Sequence, residues 1–282
     1  MVACTPHPGL GTVTYAHAAI DLATCKPPTG IVVVLHSLQP TVRAQHGSQT
    51  ILYKGKVVLR VPESYKNAPA GNPGPIALTE LSPNRKWVLY AIDPLGSSSL
   101  AADGETLRAI RVTGGRSYTV GFGLLYDDYR TWCGNTLVMT AGGDRIAVHA
   151  KRLIATGPPD WKARTLVPDS ARSFGSVTCS PDGKSVVAQE QPNSIDANFF
   201  HTHWRLVRIN LDGSMTQLTH PPAHHADESP TFAGGVLYFV RSEKGNGKLY
   251  ALQRGKLVGP LLSLGYSLGF YGHQNWPYTV TR

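Results

Sequence analysis

The side chains with the clearest capacity for chemistry are His36, His201, His203, His220, His224, His225 and His273, drawn from eleven histidines in a 282-residue chain. They fall in irregular stretches that also carry Asp127, Asp128, Asp196, Asp227 and Glu228. Alternate residues of an extended segment point the same way. His201-Thr202-His203 therefore offers two imidazoles on one side, a start towards a divalent-metal site if a third ligand converges and a position stays open. His225 and His273 are further candidates for ligand contact, with Asp227 and Glu228 beside them. The bland reading of the same residues is polar loop positions at turns and strand starts, and a His-x-His pair alone does not separate the two. Adjacent His224 and His225 point apart, and one of them is expected to bond a loop carbonyl.

Aromatic side chains accompany these groups. Trp132, Phe199, Phe200, Tyr271 and Trp276 could stack on a sugar or peptide or could pack between sheets, whereas Trp87, Tyr90, Tyr238 and Tyr250 lie in strand patterns and read as packing. The standard catalytic signatures are missing: there is no Gly-x-Ser-x-Gly, no His-Glu-x-x-His and no Gly-x-Gly-x-x-Gly. Gly183-Lys184-Ser185 imitates the end of a phosphate loop, but Thr178 stands where the first Gly should be. Cys179 has no neighbouring His to activate it. No cofactor is expected, with a divalent metal on His201 and His203 the one exception kept open.

The elements that position these residues are strands. Ser180-Pro181-Asp182-Gly183 is a tight-turn sequence, in which Pro and Asp favour the early positions and Gly supplies a positive φ. Extended runs flank it at Ser176–Cys179 and Lys184–Gln189, and Trp204–Asn210 and Met215–Thr219 follow around Leu211-Asp212-Gly213-Ser214, which makes four strands. Leu81-Ser82-Pro83-Asn84-Arg85 repeats the order, with strands at Lys86–Ala91 and Thr106–Val112. Weaker copies turn at Gln45–Ser48, Thr140–Asp144 and Phe232–Gly235. Turns near residues 47, 84, 142, 182 and 234 are spaced like the blades of a β-propeller. A sixth blade is assembled from Trp276–Val280 with Thr12–Ala16, Ala19–Ala23 and Ile31–Leu35, so that it is shared between about residues 10–36 and 266–282 and closes the ring without open edges. The expected fold is all-β: one six-bladed propeller domain over 1–282, with four-stranded antiparallel blades. The 21 prolines and 29 glycines suit its many short connections.

Ser180-Pro181-Asp182-Gly183, Leu211-Asp212-Gly213-Ser214, Glu228-Ser229-Pro230-Thr231-Phe232 and Lys248-Leu249-Tyr250-Ala251-Leu252 together resemble the TolB-like family of six-bladed propellers. The resemblance spans about residues 40–262 and concerns turn formers, so it carries over no site. It implies an extracytoplasmic protein, secreted, periplasmic or on the cell surface, whose leader is absent from this sequence. The even cysteine count agrees. Cys4 with Cys25 would tie down the N-terminal strands; Cys133 with Cys179 is the second pairing, and free thiols are the alternative. A lipid-bearing Cys4 is a further alternative. No segment is long and apolar enough to span a membrane.

Twenty-seven basic against 18 acidic side chains leave a formal charge of +9, which favours anionic partners. The basic residues are scattered and no stacking motif accompanies them, so nucleic acid is not expected. In an up-and-down blade the b–c connections and the inter-blade links leave at one end. Pro192–His203, His220–Glu228, Ser263–Asn275, Tyr126–Cys133 and His36–Arg43 are all of that kind, so the long loops gather on one face. The favoured reading is a monomeric scaffold that binds a protein, peptide or anionic glycan there, through His201, His203, His225, Asp227, Glu228, His273, Trp132 and Trp276. The alternative is a metal-assisted lyase or hydrolase acting on an acidic polysaccharide at the same histidines.

Overall fold

The computed structural model describes residues 6, 10, 12–15, 18–22, 25, 42–45, 50–61, 76–92, 104–142, 145–193, 203–267, 269, 271–274, 276 and 278–281. Its strands in chain order are β1 (Thr12–Tyr15), β2 (Ala18–Asp21), β3 (Val42–Gln45), β4 (Thr50–Tyr53), β5 (Lys56–Arg60), β6 (Ile76–Leu81), β7 (Trp87–Ile92), β8 (Glu105–Arg111), β9 (Tyr118–Gly123), β10 (Arg130–Cys133) and β11 (Thr136–Ala141). They continue as β12 (Arg152–Thr156), β13 (Arg164–Thr165), β14 (Arg172–Cys179), β15 (Ser185–Pro192), β16 (Arg205–Asn210), β17 (Met215–Gln217), β18 (His225–Ala233), β19 (Val236–Glu243), β20 (Asn246–Gln253), β21 (Lys256–Tyr266) and β22 (Tyr278–Thr281). The protein is all-β, and no helix among the described residues is long and apolar enough to cross a membrane.

All but one of the sheets described are antiparallel meanders in chain order. Four sheets have four strands each: β6–β9, β10–β13, β14–β17 and β18–β21. Strands β3–β5 form a three-stranded sheet, and another has the order β2-β1-β22. In that last sheet Thr12 lies opposite Thr281 and Tyr15 opposite Tyr278, so strands from the two ends of the sequence are paired as expected. The third N-terminal run, Ile31–Leu35, and the turn at Gln45–Ser48 fall wholly or partly outside the described residues.

Local turn chemistry explains the hairpins. The Asp182 carboxylate accepts from the Ser180 hydroxyl at 2.5 Å and from the Lys184 N–H at 3.0 Å, while Gly183 takes a φ of 69°. Ser82-Pro83-Asn84-Arg85 repeats the arrangement with an amide oxygen: Asn84 accepts from the Ser82 hydroxyl and the Lys86 N–H, and Arg85 adopts the positive φ of 56°. The substitution of Asn-Arg for Asp-Gly thus keeps the turn. The first strands β6, β14 and β18 each carry a bulge, between Leu78 and Glu80, Phe174 and Val177, and Glu228 and Thr231. A bulge increases local twist and re-aims the residues beyond it.

The Thr140–Asp144 turn expectation is corrected. The hairpin of the third group is made by Gly134-Asn135, with Gly134 at φ 60°, and Thr140 lies inside β11. Cys133, expected at the end of the Tyr126–Cys133 loop, instead closes β10 as Cys179 closes β14. Cys133 and Cys179 are both disulfide-bonded, as the pairing expected of them requires; Cys25 is too, and its expected partner Cys4 lies outside the described residues.

Contacts divide the chain into two compact units. One comprises residues 1–35, 146–150 and 169–282. Within it, Val187 and Leu206 pack on Leu237 and Phe239, while the other face of β18–β21, through Tyr238, Val240 and Leu249, packs on Leu22 and Trp276. The other unit comprises residues 36–145 and 151–168. There Ile51 and Val58 pack on Val88 and Tyr90, and Trp87, Leu89 and Leu107 pack with Leu137, Met139 and Trp161. The second strands β7 and β15 are buried along nearly their whole length because both of their faces are covered.

Candidate functional site

The candidate residues of the first unit lie at one end of sheets β14–β17 and β18–β21, where β15 ends, β16 begins and the 218–224 link enters β18. The chain enters β18 earlier than the His220–Glu228 loop expected from the sequence: His225, Asp227 and Glu228 are strand residues. Trp204 is buried with Val148 and Ala226, and its carbonyl accepts the Asp227 N–H at 2.8 Å, which ties the start of β16 to the start of β18.

Burial of carboxylates dominates the electrostatics at this end. Asp227 is fully buried, and its two oxygens accept from Arg241 Nε at 2.6 Å and an Arg241 terminal nitrogen at 2.8 Å. This bidentate pairing matches the planar guanidinium fork. The hydrogen bond to Asp227 is the main cause raising the Arg241 pKa. Glu228 is equally buried, and one of its oxygens accepts the Trp276 indole N–H at 3.0 Å and the Ser242 hydroxyl at 2.8 Å. Glu190, also buried, is held between Arg172 at 2.7 Å and Arg205 at 2.5 Å. Burial alone would lower the Arg172 pKa, but the hydrogen bonds it donates to Glu190 and Asp169 outweigh it and raise the value. These carboxylates are committed to cations and indole, which rigidifies the end of the sheets.

The histidines are placed differently. His203 is exposed at the start of the β16 segment, where its backbone N–H donates to Gln191 Oε1 at 3.0 Å. His225 is half-buried; its Nδ1 lies 2.9 Å from the Ala223 carbonyl, the loop bond expected for one member of that pair, and its Nε2 is 3.6 Å from Glu243. The latter is an ion pair only when the ring is protonated. His224 is exposed with a φ of 63°, and His273 is buried. Among the described residues, no group of three or more His, Cys, Asp or Glu side chains is placed to hold a metal. His201 lies outside the described residues, so the His201 and His203 pair is not decided by this geometry.

Trp276 and Trp132, grouped together from the sequence, separate. Trp276 is 5% exposed and packs against Gly247, where a Cβ would collide with its ring. Trp132 belongs to the second unit and lies on β10 beside the Gly134-Asn135 hairpin, at the short-turn end of its sheet. Its placement with the long loops is thus corrected; the misread hairpin had put β10 inside a loop. There its indole donates to Glu80 at 2.9 Å, and its ring meets Trp161 edge to face at 6.1 Å. Sequence reasoning did not single out Arg172, Glu190, Arg205 or Arg241. The available signal was a carboxylate, Glu190, following the apolar run Val186-Val187-Ala188 and Gln189.

No protein-family model matches the chain, and no curated protein matches it. Solved structures similar to it include a protein assigned as TolB from Agrobacterium tumefaciens, at 12% identity over 71% of each chain with a TM-score of 0.46. TolB from Acinetobacter baumannii is 14% identical over 78% of this chain and 50% of its own, with a TM-score of 0.44. An oligogalacturonate lyase in complex with manganese is 12% identical over 64% of this chain and 51% of its own, also at 0.44.

Proposed function

We propose that the chain is a monomeric, six-bladed TolB-like propeller that works outside the cytoplasm as a binding scaffold, taking a protein, peptide or anionic glycan on its long-loop end. The observation that carries this reading is the state of the buried carboxylates: Asp227, Glu228 and Glu190 are each held by fixed donors. An end braced in this way presents loops on a rigid support, the usual arrangement for recognition. Proton transfer asks instead for a group poised near the working pH with access to substrate. Pairing of β1 with β22 supports the closed ring, and six sheets support the blade count. The oxidised Cys25, Cys133 and Cys179 support an oxidising compartment.

The test combines metal analysis with ligand screening. Protein purified without an affinity tag is expected to carry no stoichiometric metal. It is also expected to bind members of a peptide and glycan array in a manner weakened at least tenfold by the double substitution His201→Ala with His203→Ala. Stoichiometric Zn, Mn or Ca that disappears in that variant would replace the scaffold reading with the metal-assisted lyase or hydrolase.

A further inference from the structure

The short-turn end of sheets β6–β9 and β10–β13 has a character of its own. The β6–β7 turn carries Arg85 and Lys86, the end of β8 and the turn after it carry Arg111 and Arg116, and the β12–β13 turn and the strand it enters carry Lys162 and Arg164; all six are exposed. Asp160 is the one carboxylate among the described residues of these turns, and it accepts the backbone N–H of Lys162 at 3.3 Å. The two sets of turns are adjacent, because the Asn84 side chain donates to Asn135 at 3.2 Å and the Trp87 and Trp161 rings meet at 5.3 Å.

Two of these cations lie over aromatic rings. The Arg111 guanidinium lies 4.8 Å from the centre of the Trp87 ring, and that of Arg116 lies 5.2 Å from Tyr118. Stacking of this kind holds the charges outward without neutralising them. Trp87 and Trp161 are each only 2% exposed, so these indoles are not free to stack on nucleobases or sugar rings. The β6–β7 and β10–β11 connections are tight turns, which give a polymer chain little to lie between. What remains is a cluster of positive charge at the tips of tight turns, a form suited to a planar array of anions. Basic side chains near such a surface attract it over about a Debye length, roughly 8 Å at physiological salt.

We propose that the short-turn end of sheets β6–β9 and β10–β13 docks on an anionic phospholipid bilayer through Lys86, Arg111, Arg116 and Lys162. This surface is at the opposite end of its sheets from the b–c loops and does not depend on the scaffold reading.

The experiment is co-sedimentation of the full chain with vesicles of phosphatidylcholine alone or mixed with phosphatidylglycerol, over a salt series. Binding is expected to the mixed vesicles alone and to fall steeply as salt rises. The double variant Lys86→Glu with Lys162→Glu is expected to bind more than tenfold more weakly, since each surface cation contributes a factor of about five. Neither side chain packs in the core, and an unchanged thermal transition verifies that the variant folds. Lys244→Glu with Lys248→Glu changes net charge equally on exposed residues of the other unit and is expected to leave binding within about twofold. Equal weakening by both pairs, indifference to phosphatidylglycerol, or tighter binding to heparin or duplex DNA than to the vesicles would each overturn the proposal.

Discussion

At the loop end of sheets β14–β17 and β18–β21, three carboxylates sit out of water and each is met by aimed donors: Glu190 by Arg172 and Arg205, Asp227 by Arg241, and Glu228 by Trp276 and Ser242. At the turn end of β6–β9 and β10–β13, the interior is filled by Trp87, Tyr118, Trp132 and Trp161 in edge-to-face contact, and the cations remain outside on the rings. The first region gains order from pairing, so its stability depends on both partners of a pair being present. The second gains it from area and ring geometry. Removing one polar partner therefore matters most where charge is buried.

The largest effect that separates the regions is expected at Arg241. Arg241→Ala leaves Asp227 buried without its cation, a loss of about 3–5 kcal/mol in chemical denaturation. Replacing the pair together, Arg241→Met with Asp227→Leu, should recover most of that loss, because apolar residues of similar volume carry no desolvation penalty. A double variant as unstable as the single one would mean that the pair specifies the local backbone as well as neutralising itself, and the contrast with the aromatic end would have to be redrawn.

That pair also shows how far the sequence can be read. The Ser180–Gly183 and Ser82–Arg85 hairpins were legible because turn chemistry is local: the residues that bend the chain also make the hydrogen bonds. Gly134-Asn135 was passed over for the richer glycine cluster at Gly142-Gly143-Asp144, and that choice moved Trp132 to the wrong end of its sheet. The partner of Asp227 needed register. Counted straight back from the Gly234-Gly235 turn, Asp227 would face Ser242; the bulge between Glu228 and Thr231 shifts the pairing by one and brings Arg241 opposite. A bulge has no reliable signature in a single sequence, so the ion pairs at the loop end stayed hidden while the sheets that carry them did not. For the same reason Trp276 and Trp132 looked alike, since the bond each makes is long-range.

A matched substitution in the two regions measures the value of that pairing directly. The Trp276 N–H serves the buried Glu228, whereas the Trp161 N–H is buried with no partner among the described residues. Trp276→Phe and Trp161→Phe remove the same atoms. The first strips a donor from a buried carboxylate, and the second removes a polar group that had no bond to lose. The Trp276 variant should be the less stable by about 1–3 kcal/mol, read from paired urea titrations. Equal losses would show that ring packing sets the stability at both ends and that the Glu228 bond adds little.

The smallest effect concerns Glu80, a half-buried carboxylate of the aromatic end. Its acceptor role toward Trp132 resembles that of Glu228 toward Trp276, but Arg130 approaches it only to 3.7 Å, being turned toward the Leu125 and Tyr126 carbonyls and Asp127. Burial therefore prevails over the attraction of Arg130 and the Trp132 bond, with Asp127 adding to it, and the Glu80 pKa lies above its ordinary value of 4.5. The folded chain then holds this proton more tightly than the unfolded chain does. The stabilisation is complete below pH 4.5 and is lost as pH rises through the folded-state value. Glu80→Gln keeps an oxygen for the Trp132 N–H and cannot titrate, so the stability of the native protein relative to this variant should decline with rising pH across that window and level off above it. A difference that grew with pH would mean that Arg130 governs Glu80 as Arg241 governs Asp227, and the two regions would then handle buried acid by the same means.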